Sequence, residues 1–301
     1  MPVGHFPLSG KIAAVTGGGS GINLSFVRLA ISSGARVLIA DLKLTTEAAE
    51  LVESSNGSAA FMTCDVSKWK DLEAIPSEVE KAFGKGAVAD VWVPGAGIFE
   101  PKWSSFLYDQ EDESYMQMKI NAEHPIKLTR IAMRSLLCAN KPGVVCLVAS
   151  GAGVTGSYAA ALYCATKHAV VGFCKSMAQA DQDESIKVVC ILPGMVSTPL
   201  WTGADAKHVN SQFSYTDDIC ITPDEVAEAM KELVEDPKYK GGALLETKKG
   251  ALRNELESAQ SIVIIDADQK SPEMQAFTDK LYAPIREEFK KERGKSVANG
   301  S

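Results

Sequence analysis

What this chain lacks narrows its class first. Its seven cysteines, at 64, 138, 146, 164, 174, 190 and 220, form no CxxC pair and no His/Cys spacing of a metal site. That argues against a zinc module or a thioredoxin-like redox motif, and no metal is expected. Most of the cysteines stand inside apolar runs, where a reduced, buried thiol is the expected state. No apolar run reaches the roughly 18 residues needed to span a bilayer. Met1–Gly10 carries no long apolar stretch, so no secretory leader is expected, and a cytoplasmic protein is the working expectation. Cationic excess is missing too. Lys and Arg number 31 against 38 Asp and Glu, for a net charge of −7, and no footprint for nucleic acid or an anionic membrane is visible. The chain shows no internal repeat and, before residue 250, no linker rich in Gly, Ser or Pro.

What is present is a regular alternation. The 301 residues are 46% hydrophobic and 23% charged, ample material for a core. Short apolar runs predict strands at Ile12–Thr16, Arg36–Ala40, Ala59–Thr63, Asp90–Pro94, Val144–Ala149, Lys187–Leu192 and Ala243–Glu246. Helical spacing predicts helices at Ile22–Ser33, Leu44–Ser54, Trp69–Phe83, Glu113–Leu137, Tyr158–Gln182 and Pro223–Glu235. Strand–helix alternation with strands apolar on both sides points to an α/β fold, a doubly wound parallel sheet covered on both faces. One domain over 1–254 is expected, followed by an extension over 255–301 with a helix near Pro272–Lys291 and a disordered polar end. Two irregular stretches interrupt the rhythm, Ile98–Asp112 and Ser197–Cys220. Loops of that length in a compact domain are usually functional, so 197–220 is read as a substrate lid.

Three local patterns carry chemistry. The first strand runs into Thr16-Gly17-Gly18-Gly19-Ser20-Gly21-Ile22-Asn23 and then a helix. Glycines let the backbone turn tightly against a pyrophosphate, and a helix start offers unpaired N–H groups. Asp41 ends the second strand, 24 residues after Gly17, about where a carboxylate accepts from an adenosine ribose and repels a 2′-phosphate. No arginine stands at position 18 or 42, so NAD is expected over NADP. Asp65, ending the third strand, is a candidate acceptor for the adenine amine. Finally, Tyr163 and Lys167 stand four apart, one above the other on a helix. An ammonium beside a phenol favours the phenolate, which would make Tyr163 an acid/base working near neutral pH. The same spacing also occurs on ordinary solvated helices, so its meaning depends on what surrounds it.

From Lys11 to Lys248 the chain resembles a short-chain dehydrogenase/reductase, with its Rossmann fold. Thr16-Gly17-x-x-x-Gly21-Ile22 resembles the family's cofactor turn, Asp65-Val66 its adenine pocket, and Pro94-Gly95-Ala96-Gly97 its fourth-strand Asn-Asn-Ala-Gly. Asn121 matches the helix asparagine, Ser150 stands 13 residues before Tyr163, and Leu192–Thr198 resembles the nicotinamide loop. Ala96–Pro101, Thr198–Trp201 and Thr222–Met230 are similar to 15-hydroxyprostaglandin dehydrogenase-like members, including fungal ones.

The resemblance implies a catalytic set: Tyr163 as proton donor or acceptor, Lys167 lowering its pKa and holding the nicotinamide ribose, Ser150 orienting the substrate oxygen, and Asn121 holding a water that joins Lys167 to solvent. It implies cofactor contacts from Gly17, Gly19, Ser20, Gly21, Ile22, Asp41, Leu42, Asp65, Val66, Gly95, Ala96, Gly97, Pro193, Gly194, Val196 and Thr198, together with Tyr163 and Lys167. The expected reaction interconverts a secondary alcohol and a ketone with NAD, oxidation favoured, with a place in secondary metabolism. Aromatic and apolar loop residues motivate a hydrophobic substrate met by Ser150, Tyr158, Met195, Trp201 and Phe213, with Trp103 a further candidate. A homodimer or homotetramer through the helices Glu113–Leu137 and Tyr158–Gln182 is implied. Two departures stand out. Asn23 replaces a glycine, so it should push its helix outward or face the ligand. Pro94-Gly95 replaces both asparagines, whose hydrogen bonds must be lost or replaced. They motivate the competing reading, a non-redox or ligand-binding member that keeps the cofactor as a structural element.

Overall fold

A computed structural model describes residues 1–99, 114–202, 220–249 and 272–295, without the side chains of 201, 202 and several residues of the last segment. Seven strands form one parallel sheet in the order β3-β2-β1-β4-β5-β6-β7. They are β1 Ile12–Thr16, β2 Arg36–Asp41, β3 Ala59–Thr63, β4 Val91–Pro94, β5 Gly143–Val148, β6 Ile186–Pro193 and β7 Leu244–Thr247. The helices are α1 Gly21–Ser32, α2 Thr46–Ser54, α3 Trp69–Phe83, α4 His124–Cys138, α5 Ala161–Ser176, α6 Gln179–Glu184, α7 Pro223–Glu235 and α8 Pro272–Glu292. This is the doubly wound Rossmann architecture expected from the alternation.

The strands read as continuous apolar runs because each side of the sheet has its own core. Along β1, Ile12 and Ala14 join Trp92, Leu128, Leu136, Val145 and Val170 on the α3–α4–α5 side. Ala13 and Val15 join Phe26, Ile39, Val189, Met230 and Leu233 on the α1–α7 side. Successive strand residues point to opposite faces, and here both faces are dry. Strand order reverses between β1 and β4, which pair side by side up to Thr16 opposite Pro94. In such sheets the crevice beyond the strand ends at this reversal is the usual ligand site.

Two expected helices are interrupted. The segment before α4 is one α-helical turn at Met116–Met118 followed by a π-helical stretch at Lys119–Glu123; Glu113 lies outside the described residues. The expected helix Tyr158–Gln182 divides into a 3-10 turn at Tyr158–Ala160, then α5, then α6. It stops at Met177, whose N–H bonds the Phe173 and Cys174 carbonyls. A helix begins at Thr46 rather than Leu44 because the Thr45 hydroxyl caps it, accepting from Ala48 N at 3.3 Å.

Helix α8 lies against α4 and α6 through Arg130–Glu292, Arg286–Asp183 (2.8 Å) and Arg293–Glu184 (2.7 Å). Residues 250–271 and 296–301 of the expected extension lie outside the described residues. None of the seven cysteines is in a disulfide, and six are buried. Among the described residues no helix is long and apolar enough to cross a membrane.

Candidate active site

The glycine turn is shaped by what cannot fit there. Gly17 adopts φ +70°, and a Cβ on it would stand 2.7 Å from the Ala96 Cα. At Gly19 a Cβ would stand 2.6 Å from the Lys43 carbonyl oxygen and 2.9 Å from Asp41 Oδ2. The Gly19 N–H donates to Asp41 Oδ2 at 2.9 Å, and the Thr45 hydroxyl donates to the Gly19 carbonyl at 2.8 Å. Asp41 therefore pins the turn as well as standing at the end of β2. Ser20 caps α1 without a side-chain hydrogen bond, and no acidic residue occupies the first turn. Among the described residues no side chain answers the backbone N–H groups and positive dipole end of α1, which suits a pyrophosphate. A cradle closed to any side chain, an uncapped helix start and a carboxylate beyond it together fit a dinucleotide.

Around this cradle, Leu42 is 65% exposed beyond Asp41 and Val66 is buried. Asp65 accepts from the Ser67 hydroxyl (2.6 Å) and N–H (3.0 Å) and pairs with Lys68 at 3.1 Å. The Ser67 hydroxyl does most to hold its carboxyl below the usual range. Thr198 sets its methyl 3.5 Å from where a Cβ on Gly21 would stand, so the β6 loop reaches the glycine turn. That loop is fixed by Gly194 N to Thr247 O (2.7 Å), Ile221 N to Met195 O (3.0 Å) and Ser197 N to Ile221 O (3.0 Å), with Val196 bridged to Ile221.

Both departures at the β4 end find an account. Asn23 is buried and turned to β4; its Nδ2 donates to the Gly95 carbonyl at 2.9 Å. The Gly95 N–H donates to the Thr16 hydroxyl at 3.0 Å. The hydrogen bonds of the missing asparagines are thus replaced by Thr16 and Asn23.

The catalytic candidates converge beside Gly97. The Asn121 carboxamide accepts from Ile98 N and donates to Ile98 O, both at 2.9 Å, and also donates to Gln117. Asn121 sits in the π-helical stretch; such bulges occur mostly at functional positions. The expectation that Asn121 holds a water meets a side chain already committed to Ile98 and Gln117. Lys167 is buried and donates to the Val148 carbonyl at 3.0 Å; burial pulls its pKa down to about 8. A Cβ on Gly97 would lie 3.4 Å from Asn121 Oδ1 and 3.8 Å from Lys167 Nζ. Ser150 accepts from Ala152 N at 3.2 Å, donates to the Pro193 carbonyl at 3.3 Å and acts on the Tyr163 phenol.

Tyr163 departs from expectation. Burial pushes its phenol up to about 12, against the Ser150 hydroxyl, which works the other way. Lys167 does not lower it here. Its Nζ stands 5.5 Å from the ring centroid, over the face, and is bonded to Val148. Desolvation therefore outweighs charge at this pair.

Three residues that sequence patterns did not single out belong to the site. Phe99 packs edge-on against Tyr163, with centroids 4.6 Å apart at 78°. Gln117 is fully buried beside Asn121. His124 is buried, with Nδ1 3.0 Å from the Ile120 carbonyl and Nε2 2.9 Å from the Thr16 hydroxyl. A carbonyl only accepts, so Nδ1 carries a proton; the Thr16 hydroxyl beside Nε2 also reaches the Val93 carbonyl at 3.2 Å. Burial holds this ring's pKa down at about 4. Its place one turn after Asn121 was the one sequence signal. Among the substrate candidates, Met195 is half-buried in the β6 loop, and Tyr158 is 86% exposed on its 3-10 turn rather than lining a pocket. Trp103 and Phe213, and the side chain of Trp201, lie outside the described residues, as does most of the expected lid.

Comparison with known proteins agrees with this geometry. The family model described as short chain dehydrogenase matches residues 11–208. A 2,5-dichloro-2,5-cyclohexadiene-1,4-diol dehydrogenase of Sphingobium indicum is 34% identical over 64% of this chain and 75% of its own length. The mitochondrial borneol dehydrogenase of Lavandula x intermedia is 30% identical over 78% of this chain and 88% of its own. A solved glucose/ribitol-type short-chain dehydrogenase/reductase from Brucella melitensis superposes with a TM-score of 0.67 at 22% identity, covering 82% of this chain and 99% of that one, and so shares the fold.

Proposed function

This chain belongs to the short-chain dehydrogenase family, and from that premise we propose an NAD-dependent oxidoreductase that interconverts a secondary alcohol and its ketone on a hydrophobic small molecule. The observation that carries the reading is the convergence of Ser150, Tyr163, Lys167 and Asn121 beside a glycine cradle pinned by Asp41. The nicotinamide, when bound, supplies or accepts the hydride. The residues do the rest. Ser150 orients the substrate oxygen and Tyr163 gives or takes its proton. Lys167, held on Val148, would hold the nicotinamide ribose. Gly17, Gly19, Ser20, Gly21 and Ile22 would cradle the phosphates. Asp41 would take the adenosine ribose and repel a 2′-phosphate, which favours NAD and, in a cell where NAD is mostly oxidised, oxidation. Phe99 against Tyr163 favours an apolar substrate, as does the relative named for borneol.

One observation favours a hydroxylated ring instead. Glu246 Oε1 lies 3.5 Å from where a Cβ on Gly151 would stand, next to Ser150, and one relative is named for a diol. A cytoplasmic homo-oligomer associating through α4 and α5, with a role in secondary metabolism, completes the reading. Absorbance at the nicotinamide band, followed with NAD or NADP over a panel of cyclic alcohols and polyols, tests it. The proposal fails if the protein binds no NAD(H) and Tyr163→Phe leaves any turnover unchanged.

A further inference from the structure

Asn23 and Gly95 occupy each other's space. A Cβ on Gly95 would stand 2.4 Å from Asn23 Oδ1, 2.5 Å from Nδ2 and 2.6 Å from Cγ. No L-residue fits at 95 while Asn23 holds its rotamer, and that rotamer is fixed because Nδ2 donates to the Gly95 carbonyl. The Asn23 Oδ1 atom is buried and has no hydrogen-bond partner among the described residues. A buried carboxamide with one unanswered oxygen is costly, so packing alone does not explain why an amide rather than a small apolar residue stands here.

The segment Asn23 holds has a second side. Gly95 is also fixed by Thr16, and Ala96 packs on Gly17. Two residues on, Gly97 borders Asn121 Oδ1 and Lys167 Nζ, and Ile98 is bonded to Asn121 through both its N–H and its carbonyl. Residues 95–98 thus form a short strap, held by the glycine-turn side at one end and by the catalytic helices at the other. We propose that Asn23 is a positioning residue that, interlocked with Gly95, sets the strap and through it the placement of Lys167 and Asn121 relative to the glycine turn. The inference deepens the reading of that turn as a nucleotide site and rests on it.

A four-cornered comparison tests it: the unaltered protein, Asn23→Gly, Gly95→Asn, and both together. Asn23→Gly removes the donor to Gly95. It should weaken NADH binding, read by nucleotide fluorescence, about fivefold. It should also move the pH midpoint of that affinity, because Lys167, whose pKa burial lowers to about 8, borders the strap at Gly97; simple loosening of the fold would not move it. Gly95→Asn alone places two amides in one space and should lower the melting temperature or prevent folding. In the double variant the new amide at 95 enters the space vacated at 23, and melting temperature and NADH affinity should recover above the poorer single variant. The proposal is overturned if Asn23→Gly keeps both NADH affinity and its pH midpoint. It is equally overturned if Gly95→Asn is tolerated no worse with Asn23 present than absent. Melting temperatures taken without nucleotide read the interlock alone. An unaltered protein that binds no NADH defeats the nucleotide reading instead, and with it the positioning role, whatever the melting data show.

Discussion

Acidification should cost this fold stability through one ring. His124 sits fully buried between the Ile120 carbonyl and the Thr16 hydroxyl, where burial favours the neutral imidazole. Protonation would place a cation in a dry site near the Lys167 ammonium. The ring's pKa accordingly falls from an ordinary 6.5 to about 4. Between those values the unfolded chain binds the proton and the folded one does not. The contribution is therefore fully present above pH 6.5 and is lost progressively as pH falls toward 4. At about 1.4 kcal/mol for each tenfold in proton affinity, the loss is about 3 kcal/mol. Several carboxylates also titrate in acid, so the measurement must be a difference. Denaturant unfolding of the unaltered protein and of His124→Gln, at steps from pH 7.5 to 4.5, isolates the ring, since glutamine can both donate and accept but does not titrate. The gap between the two should narrow steadily as pH falls. A gap independent of pH, or a His124 ring titrating near 6.5 by NMR, would refute the burial account.

Other outcomes follow from the site. Tyr163→Phe should lower turnover by about a hundredfold or more while most of the NADH affinity survives, because the phenol's proton matters to the chemical step and it is only one of many nucleotide contacts; initial rates and fluorescence titration separate the two. Gly19→Ala should cut NAD affinity by about tenfold or more, since the new methyl meets the Lys43 carbonyl at 2.6 Å; calorimetry reads it. Asp41→Ser should bring kcat/KM for NADP closer to that for NAD, with weaker binding of both because Gly19 loses its acceptor. Arg130→Ala removes one surface pairing to Glu292 and should weaken docking of α8 by about 0.5 kcal/mol, seen as faster proteolysis of the last helix with little change in overall melting.

Much of the framework was legible because it is local. The bounds of β1, β3, α3 and α7 agree with the patterns at every terminal residue, since a β-branched run, a capped helix start and a period of 3.6 are properties of neighbouring residues. The remaining strands differ by a residue at one or both ends, where partners decide. Asp90 leaves β4 because its carboxylate takes the Ile12 N–H at 2.9 Å. The helix after Tyr158 read as one element because the sequence offers no proline or glycine at Met177 to stop it, and the chain turns there anyway.

The sequence by itself determined a parallel α/β sheet, the glycine turn with Asp41 beyond it, and the spacing of Ser150, Tyr163 and Lys167. Each of these follows from short-range geometry: backbone angles only glycine tolerates, the pleat of a strand, or one turn of helix. The tertiary structure decided what those residues are like in place. That Asn23 fills the space over Gly95, 72 residues away, and that Thr16 meets His124 across 108, depends on which strand ends the sheet brings together. The direction of the Tyr163 shift was decided there too. Spacing places an ammonium near the phenol, but the balance between charge and desolvation is set by everything packed around them, and no pair of positions in a sequence contains that.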